Sequence, residues 1–512
     1  MKPRLWDRVA RWFGYEPRPV GRRNIFAAAM QNRLTADWSA TINTPNYELQ
    51  GALPILRARA RDLERNSPMV RRYLQLIAEN VIGDVGIRLQ CQNSSDHTNE
   101  KLEAAWCAWG RAESCSADGR QSWRALQALI VRSVARDGEA FVRLVRGGAS
   151  GLMLQLIDPD QVDEGYNATE SETGNVVRMG IEVDSYNRAV AYHVFRQHPG
   201  DYVARGRERV RIPASEILHL FLPRRAGQVR GESWMAPVLL PLRMLDGYLE
   251  AEVTAARTAA AKMGFIVQTN PEFAGEGPDP DAVGATSFEA APGTVDRLAP
   301  GESFQSWDPS HPSANVGAFV TQLQHVIAAG LNISHASLSG DLSQVNYSSI
   351  RAGMLQERDS WRGLHQWIIE ALCEPVYTAW RESAWVAGHI PVRIIPGLHM
   401  DHRWQPRGWA WVDPLRDVQA AALSIAHGFT SPQRVVAEDG DDFAEILAEL
   451  GKANEMADKA GVTLYVPMGV TENEQANDDP AGTADAGADA GDGSTGRGRS
   501  ADSRLALLRR AR

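Results

Sequence analysis

The apolar spacing switches from a helical period to a strand-like one at residue 139 and switches back near residue 233, so the fold must hold both. Before the switch, "LPILRARARDLERNSPMVRRYLQLIAENVIG" sets Leu63, Val70, Leu74 and Ile77 at helical intervals. Within it, Asn66-Ser67-Pro68 supplies a stop, a new N-cap and a proline for the first turn, which predicts two helices with a sharp joint. Gly83 and Gly86 close the second. The stretch from 101 to 138 predicts two more helices around an Asp-Gly break. Trp106, Trp109, Trp123, Leu126, Leu129 and Ile130 make their apolar faces.

After the switch, "EAFVRLVRG", "LMLQLIDPDQV", "VRMGIEVDSYNRAVAYHVFRQ" and "RVRIPASEILHLFL" are rich in β-branched residues and bounded by Gly, Asn and Pro. They predict a mainly antiparallel β unit over 139–222, packed on the preceding helices in an α+β arrangement, with a hairpin turn at Tyr186-Asn187-Arg188. Residues 233–263 form a long helical segment whose Pro237 and Pro241 lie near its start, where proline costs least. A Pro/Gly-rich excursion follows to about residue 314 and reads as exposed loop. Helical spacing resumes at Phe319, Leu323, Val326 and Ile327 and stops at Gly330. It returns with Ile350, Met354, Trp361, Leu364, Ile368, Leu372 and Val376, and Pro375 should bend that helix. Leu5, Val9 and Phe13 suit one short amphipathic helix in a basic N-terminal arm. From 471 onward the Ala/Gly/Asp-rich composition cannot offset the entropy of ordering and reads as disordered.

A length of 512 residues implies two to four packing units. The formal net charge of -9 argues against a protein that coats itself in Lys and Arg to hold nucleic acid, though not against one that lets DNA pass. The four Cys (Cys91, Cys107, Cys115, Cys373) form no CxxC pair and read as reduced thiols. No apolar run approaches the ~18 residues of a membrane helix, and the basic start lacks the apolar core of a secretory signal. Fifteen Trp, seven of them between Trp361 and Trp411, suit cores and extensive interfaces alike.

Site chemistry is sparse. "GLHMDHRW" places His399, Asp401 and His402 together, but a metal needs three or four converging ligands and no further partner is evident. His335 has neighbouring serines but no nucleophile elbow and no orienting Asp. "DPDQVDE" spaces Asp158, Asp160, Asp163 and Glu164 like a calcium loop whose Gly and final Glu are misplaced, so it reads as a turn between strands. No phosphate loop is present. The basic clusters "RVARW", "RARARDLER" and "LPRRAGQVRG" read as solvated faces.

Residues 325–361, "HVIAAGLNISHASLSGDLSQVNYSSIRAGMLQERDSW", join two helical segments through a Ser-rich, nearly uncharged stretch. This segment resembles the signature of lambda-type phage portal proteins. That signature is an IAAGLG-like turn (Ile327 to Leu331), a Leu-Ser pair (Leu338-Ser339), Asp341, and an Asn-Tyr-Ser-Ser-x-Arg-Ala sequence (Asn346 to Ala352) opening a long helix. "RDLERNSPMVRRYLQLIAENVIG", "LQLIDPDQVD" and "ILHLFLPRRAGQVRGESWMAPVL" resemble the same family in the same order, so the likeness spans roughly residues 60 to 380. Asn332 stands where the family more often has Gly, and His335 where an aromatic or acidic residue is common.

The resemblance implies an α+β portal fold, with a helical stem and crown and a mixed α/β wing, assembled as a ring of about twelve subunits. The expected divisions are an arm (1–50), a wing (51–232), a stem helix (233–263) and a clip in the excursion (264–314). A second stem helix, tunnel loop and return to the wing follow (315–412), then crown helices (413–470) and an acidic tail (471–512). The implied function is passage of double-stranded DNA through a capsid vertex during packaging and ejection. The implied partners are a terminase, which would hydrolyse the ATP, together with head–tail adaptors, the major capsid and scaffold proteins, and the duplex. The implied location is the virion, with host cytoplasm during assembly; no membrane and no cofactor enter. Ser339, Gly340, Asp341, Ser343, Gln344, Asn346 and Tyr347 are the candidate tunnel loop. Gly330 and Gly340 permit positive φ, so the chain can reverse between helices there, and Asn346 or Ser348 can cap the next helix. Asp246, Glu250 and Glu252 are candidate lumen-facing charges that would repel the DNA backbone and favour sliding. Two rivals stay open: a metal-dependent hydrolase using His399, Asp401 and His402, and a non-portal minor capsid or adaptor protein.

Overall fold

The computed structural model describes residues 33, 36–37, 41–147, 151–169, 174–202, 208–260, 264–268, 302–306, 315–343, 347–391, 394, 401–409 and 413–462. The chain divides into two compact units, Met1–Glu445 and Ile446–Arg512. The expected helix at Leu5–Phe13 and the acidic tail lie outside the described residues, as do Gln344, Asn346 and His399.

In the first unit, a short helix α1 (Pro45–Gln50) leads to α2 (Leu53–Asn66) and α3 (Pro68–Val81). The joint falls at Ser67, whose extended φ/ψ (-99°, 121°) precedes proline at the start of α3, so the predicted break is where the chain turns. Gly83 and Gly86 both take positive φ beyond α3. After β1 (Arg88–Cys91) come α4 (Asp96–Trp109), the single turn α5 (Ala112–Cys115) and α6 (Trp123–Asp137). Gly138 ends α6 at φ 96°.

The strand block runs β2 (Glu139–Arg146), β3 (Leu152–Ile157), β4 (Val176–Arg178), β5 (Ile181–Val183), β6 (Ala189–Phe195), β7 (Arg209–Pro213) and β8 (Ile217–Phe221). All its ladders are antiparallel, as expected. It forms two sheets rather than one, ordered β3-β2-β8 and β4-β5-β6-β7. Asn187 takes φ 60° in the turn between β5 and β6, which the Tyr186-Asn187-Arg188 hairpin required.

Two cores result. The larger lies among α2, α3, α4, α6 and β2, and Trp106 is a hub within it. Its ring lies 4.7 Å from Trp109, 5.7 Å from Trp123, 5.5 Å from Tyr377, 5.0 Å from Trp380 and 6.0 Å from Trp404. These tryptophans are core, not exposed interface. The smaller core joins Phe141 and Ile157 to Val162, Ile181, Val183, Tyr192 and Val194.

Downstream, α7 (Leu239–Ala260) follows a 3-10 turn (Ala236–Val238). The excursion predicted as loop contains one short ladder: β9 (Gly264–Gln268) pairs antiparallel with β10 (Glu302–Ser306). Both strands are only five residues long, and the Phe265-Ile266-Val267 run of β9 follows directly on the helical segment read as ending at residue 263, so alternation does not mark them. Then come α8 (Val316–Gly330), α9 (His335–Ser339), α10 (Tyr347–Ile368), a π-turn (Ile369–Cys373) and α11 (Glu374–Val386). The π-turn immediately precedes Pro375, where the sequence predicts a bend. Proline cannot donate to the carbonyl four residues back, and the ladder slips one register so that Glu374 N–H reaches Ile369 O. β11 (His402–Gln405) pairs antiparallel with β1, and α12 (Pro414–Ala426), α13 (Pro432–Asp439) and α14 (Phe443–Ala460) close the described chain. Of the second unit, only the end of α14 and the two residues after it are described. Among the described residues no helix is long and apolar enough to cross a membrane.

Candidate functional site

Among the described residues, the long helices α7 and α8 are packed into the larger core at one end. Just before α7, Arg230 is fully buried and lays its guanidinium on Glu139 of β2, with Nη2 2.6 Å from Oε1. The Gly231 N–H donates to Glu139 Oε2 at 3.0 Å, and Trp234 N–H reaches Ala135 O at 3.1 Å. The approach is tight, since a Cβ on Gly231 would lie 2.1 Å from Gly138 O. Leu239, Leu242 and Leu245 of α7 and Ile327 and Ala328 of α8 are then buried. Gly330 is not a positive-φ hinge as expected. It ends α8 in helical backbone, and its lack of a side chain lets α8 lie against Val238, whose Cγ1 would sit 2.3 Å from an added Cβ.

Both helices also present apolar side chains to solvent, Leu240, Met244 and Val326 in the anchored turns and Val253 and Phe319 further out. All five are more than half exposed. Tyr248 and Phe319 meet edge-on at 5.1 Å.

The Ser-rich link turns sharply after α8. Asn332, where the resembled family more often has Gly, occupies the left-handed region at φ 57°. Ser334 caps α9 by accepting the Ser337 N–H at 3.1 Å. Glu357 of α10 takes the Ser334 N–H on one oxygen and the Ser337 hydroxyl, at 2.9 Å, on the other. Ser339 is the last residue of α9 rather than part of a loop, and its hydroxyl donates to His335 O at 2.8 Å. Gly340 at φ 71° terminates α9 as expected, and Asp341, Leu342 and Ser343 are exposed. The Ser343 N–H holds the Asp341 carboxylate below its ordinary range. The His335 ring stacks on His325 of α8 at 4.1 Å and bonds Gln324 at 3.1 Å. Burial, and then the His325 charge, keep the His335 imidazole below its ordinary value, with Asp341 pulling the other way.

Asp246, Glu250 and Glu252 do not share a face. Glu250 and Glu252 project about 200° apart around the helix. Asp246 is half-buried, and burial raises its carboxyl above the usual range beside Arg243 and Ser67. Glu250 is exposed and Glu252 half-buried.

A family model described as "Phage portal protein, lambda family" matches residues 31–365. The probable portal protein of Halomonas phage phiHAP-1 is 32% identical over 447 residues, covering 83% of this chain and 85% of that one. The chain belongs to the lambda family of phage portal proteins. Portal protein B of Escherichia phage lambda is 24% identical over 441 residues, covering 77% of this chain and 82% of that one. The neck of an empty GTA particle, computed with C6 symmetry, aligns at a TM-score of 0.43 and 16% identity over 75% of this chain and 92% of that one.

A lambda-family portal protein is a structural component, not an enzyme. In this one the histidine cluster has structural work. His402 lies in β11 with Nε2 3.0 Å from Glu374 Oε2, Trp404 Nε1–H donates to Glu374 Oε1 at 2.9 Å, and Asp401 O accepts the Gln92 N–H. The acidic turn is likewise answered by arginines. Asp158 caps a 3-10 turn (Pro159–Gln161), Arg61 bridges Asp137, Asp158 and Asp160, and Arg57 bridges Asp160 and Glu164. Asp158, Asp160 and His198 approach closely enough to suggest a cation site, but the Arg61 guanidinium already supplies the positive charge there. The turn between strands, read from "DPDQVDE", is what the structure places there.

Proposed function

We propose that this portal protein closes into a head-to-tail ring of about twelve copies whose bore conducts double-stranded DNA during packaging and ejection. The observation that carries this, beside the family, is the apolar stripe left exposed on α7 and α8. Side chains such as Leu240, Met244, Phe319 and Val326 suit burial against a neighbouring copy. The ring sits at the unique vertex of the virion capsid after assembly in the host cytoplasm. There it docks a terminase, head–tail adaptors, and the capsid and scaffold proteins. Residues 51–232 serve as wing, α7 and α8 as stem, the excursion with its β9–β10 ladder as clip, and the helices after 413 as crown. The link between α9 and α10, Gly340 to Asn346, is the tunnel loop, its polar and nearly uncharged side chains touching the duplex without an ionic hold. Glu250 is the acidic side chain of α7 best placed to face the lumen, being fully on the solvent side.

Negative-stain images and native mass of the purified chain test this. Rings of about twelve copies are expected; a species that stays monomeric at high concentration overturns the proposal. Replacing Val253 and Phe319 together by glutamate should leave folded but ring-less protein.

A further inference from the structure

We infer that the stacked rings of His325 and His335 form an acid-released latch between α8 and α9, the short helix that leads into the link before α10. The two rings meet face to face, with centroids 4.1 Å apart and planes 30° from parallel. His335 Nε2 lies 3.1 Å from Gln324 Oε1, an oxygen that can only accept. The neutral His335 ring therefore carries its proton on Nε2, and Nδ1 is the atom that takes another. His325 is exposed and His335 half-buried, so solvent protons reach both.

Charged groups approach this pair from every side of α9. Arg72 of α3 sets its Nε 3.5 Å from Ser337 O. Glu357 of α10 holds Ser334 and Ser337, and Arg358, one residue on, packs over the Trp409 ring. On α7, Arg243 and Asp246 lie beside each other and Ser67. Asp341 stands in the link itself. Burial lowers the His335 imidazole most, the His325 charge lowers it further, and Asp341 opposes both. Of these side chains only imidazole has an ordinary value between pH 7.5 and 5.0.

One proton on the pair leaves an imidazolium against a neutral ring, which the stack tolerates. A second sets two like charges 4.1 Å apart and drives the rings from each other. A histidine held below its ordinary value contributes its full stability above about pH 6.5, and that contribution is lost as pH falls through its folded value. With five residues α9 has no helical stability of its own, so its place depends on buried Leu338, on Glu357 and on this stack. Acid removes the stack and loosens α9 from α8. What that release does to the bore rests on the link being the tunnel loop; the latch itself does not.

Hydrogen exchange of the full chain at pH 7.5 and 5.0, read by mass spectrometry and corrected for the intrinsic pH dependence of exchange, tests this. The Leu338 and Gly340 amides, which donate to Ser334 O and Ala336 O, report α9, and the amides of α6 report the surrounding fold. Wild-type α9 should lose about tenfold in protection relative to α6, within the roughly 30-fold ceiling for one histidine of ordinary value about 6.5. His325→Phe combined with His335→Phe keeps two rings that take no proton, and His335→Gln removes the buried proton site alone. Each should lose less than about twofold. Equal losses in wild type and both variants overturn the inference, and so does a wild-type α9 that loses no more protection than α6. Ring images of the same samples at pH 7.5 judge the portal reading on their own: rings with a pH-insensitive α9 sink the latch and leave that reading intact.

Discussion

Glu139→Gln removes one charge from the joint that precedes α7, and its cost follows from the geometry. Glu139 and Arg230 are both wholly buried, with Arg230 Nε 2.9 and 3.0 Å from the two carboxylate oxygens and Nη2 2.6 Å from Oε1. The same carboxylate meets His219 Nε2 at 3.0 Å and takes the Gly231 N–H. Glutamine keeps the shape but leaves Arg230 a buried cation with only the carbonyls of Met179 and Pro159 opposite its other nitrogens. Removing one partner of such a pair costs about 3–5 kcal/mol. For a cooperative unit of about 150–250 residues that is on the order of 10 °C in Tm. Thermal unfolding followed by circular dichroism at pH 7 reads it. Glu48→Gln, which breaks the half-exposed pair with Arg225, is the control and should cost at most about 1 kcal/mol. Glu139→Leu combined with Arg230→Met should recover much of the loss by replacing the pair with apolar contacts. Equal shifts for Glu139→Gln and Glu48→Gln would refute the claim that burial makes the first pair structural.

Acid should weaken the fold before most carboxylates titrate. Burial holds the His219 and His365 imidazoles below their ordinary value, opposed by Glu139 at His219 and by the Asn80 carbonyl at His365, with nearby arginines adding to the lowering. The stability they contribute is complete above about pH 6.5 and is lost as pH falls towards their folded pKa. Tm should drop between pH 7.5 and 5.5, and His219→Gln should flatten that drop. Of the four thiols, Cys107 is exposed while Cys91, Cys115 and Cys373 are buried, with burial raising Cys91 to about 11 and Cys115 to about 12. A thiol reagent at pH 7 should therefore label one equivalent in native protein and four in denaturant. Gly330→Ala drives a methyl into Val238 and should cost about 1–3 kcal/mol by urea unfolding, with Val238→Ala restoring stability in the double variant.

What could be read from the chain was whatever is encoded locally. Ser67-Pro68 fixes a joint through its own φ/ψ limits, Asn187 a hairpin through its tolerance of positive φ, and Pro375 a bend through its missing donor. What escaped depends on partners far along the chain. Asp158, Asp160 and Glu164 looked like a broken calcium loop because Arg57 and Arg61, about a hundred residues earlier, were not known to lie against them. Gly330 looked like a hinge because a glycine that admits a neighbour and one that takes positive φ are the same letter; only Val238 at its Cα tells them apart. Ser339 was read as loop because α9 is too short to show a period, and Glu357, which holds α9 by Ser334 and Ser337, lies within a charged run that hides it. Asn332 carried a usable signal, since it stands where the resembled family more often has Gly and tolerates the left-handed region almost as well.

The division between a fixed and an uncovered end of the stem has a mechanical consequence. Near the wing, buried leucines, the Glu139–Arg230 pair and the Gly330–Val238 approach determine where α7 begins and where α8 ends. Further out, Val253 and Phe319 are more than half exposed, and the described outer turns of α7 and α8 meet through the edge-on Tyr248–Phe319 pair. In the proposed ring, neighbouring copies would add the lateral constraint. Loosening the inner anchor should therefore change stability in single copies and rings alike. Loosening the outer apolar stripe should change assembly and leave the melting of the wing untouched. Glu139→Gln and the Val253→Glu/Phe319→Glu double variant are thus predicted to be separable, and early melting of residues 51–232 in the second variant would show that the outer turns of α7 and α8 are not independent of them.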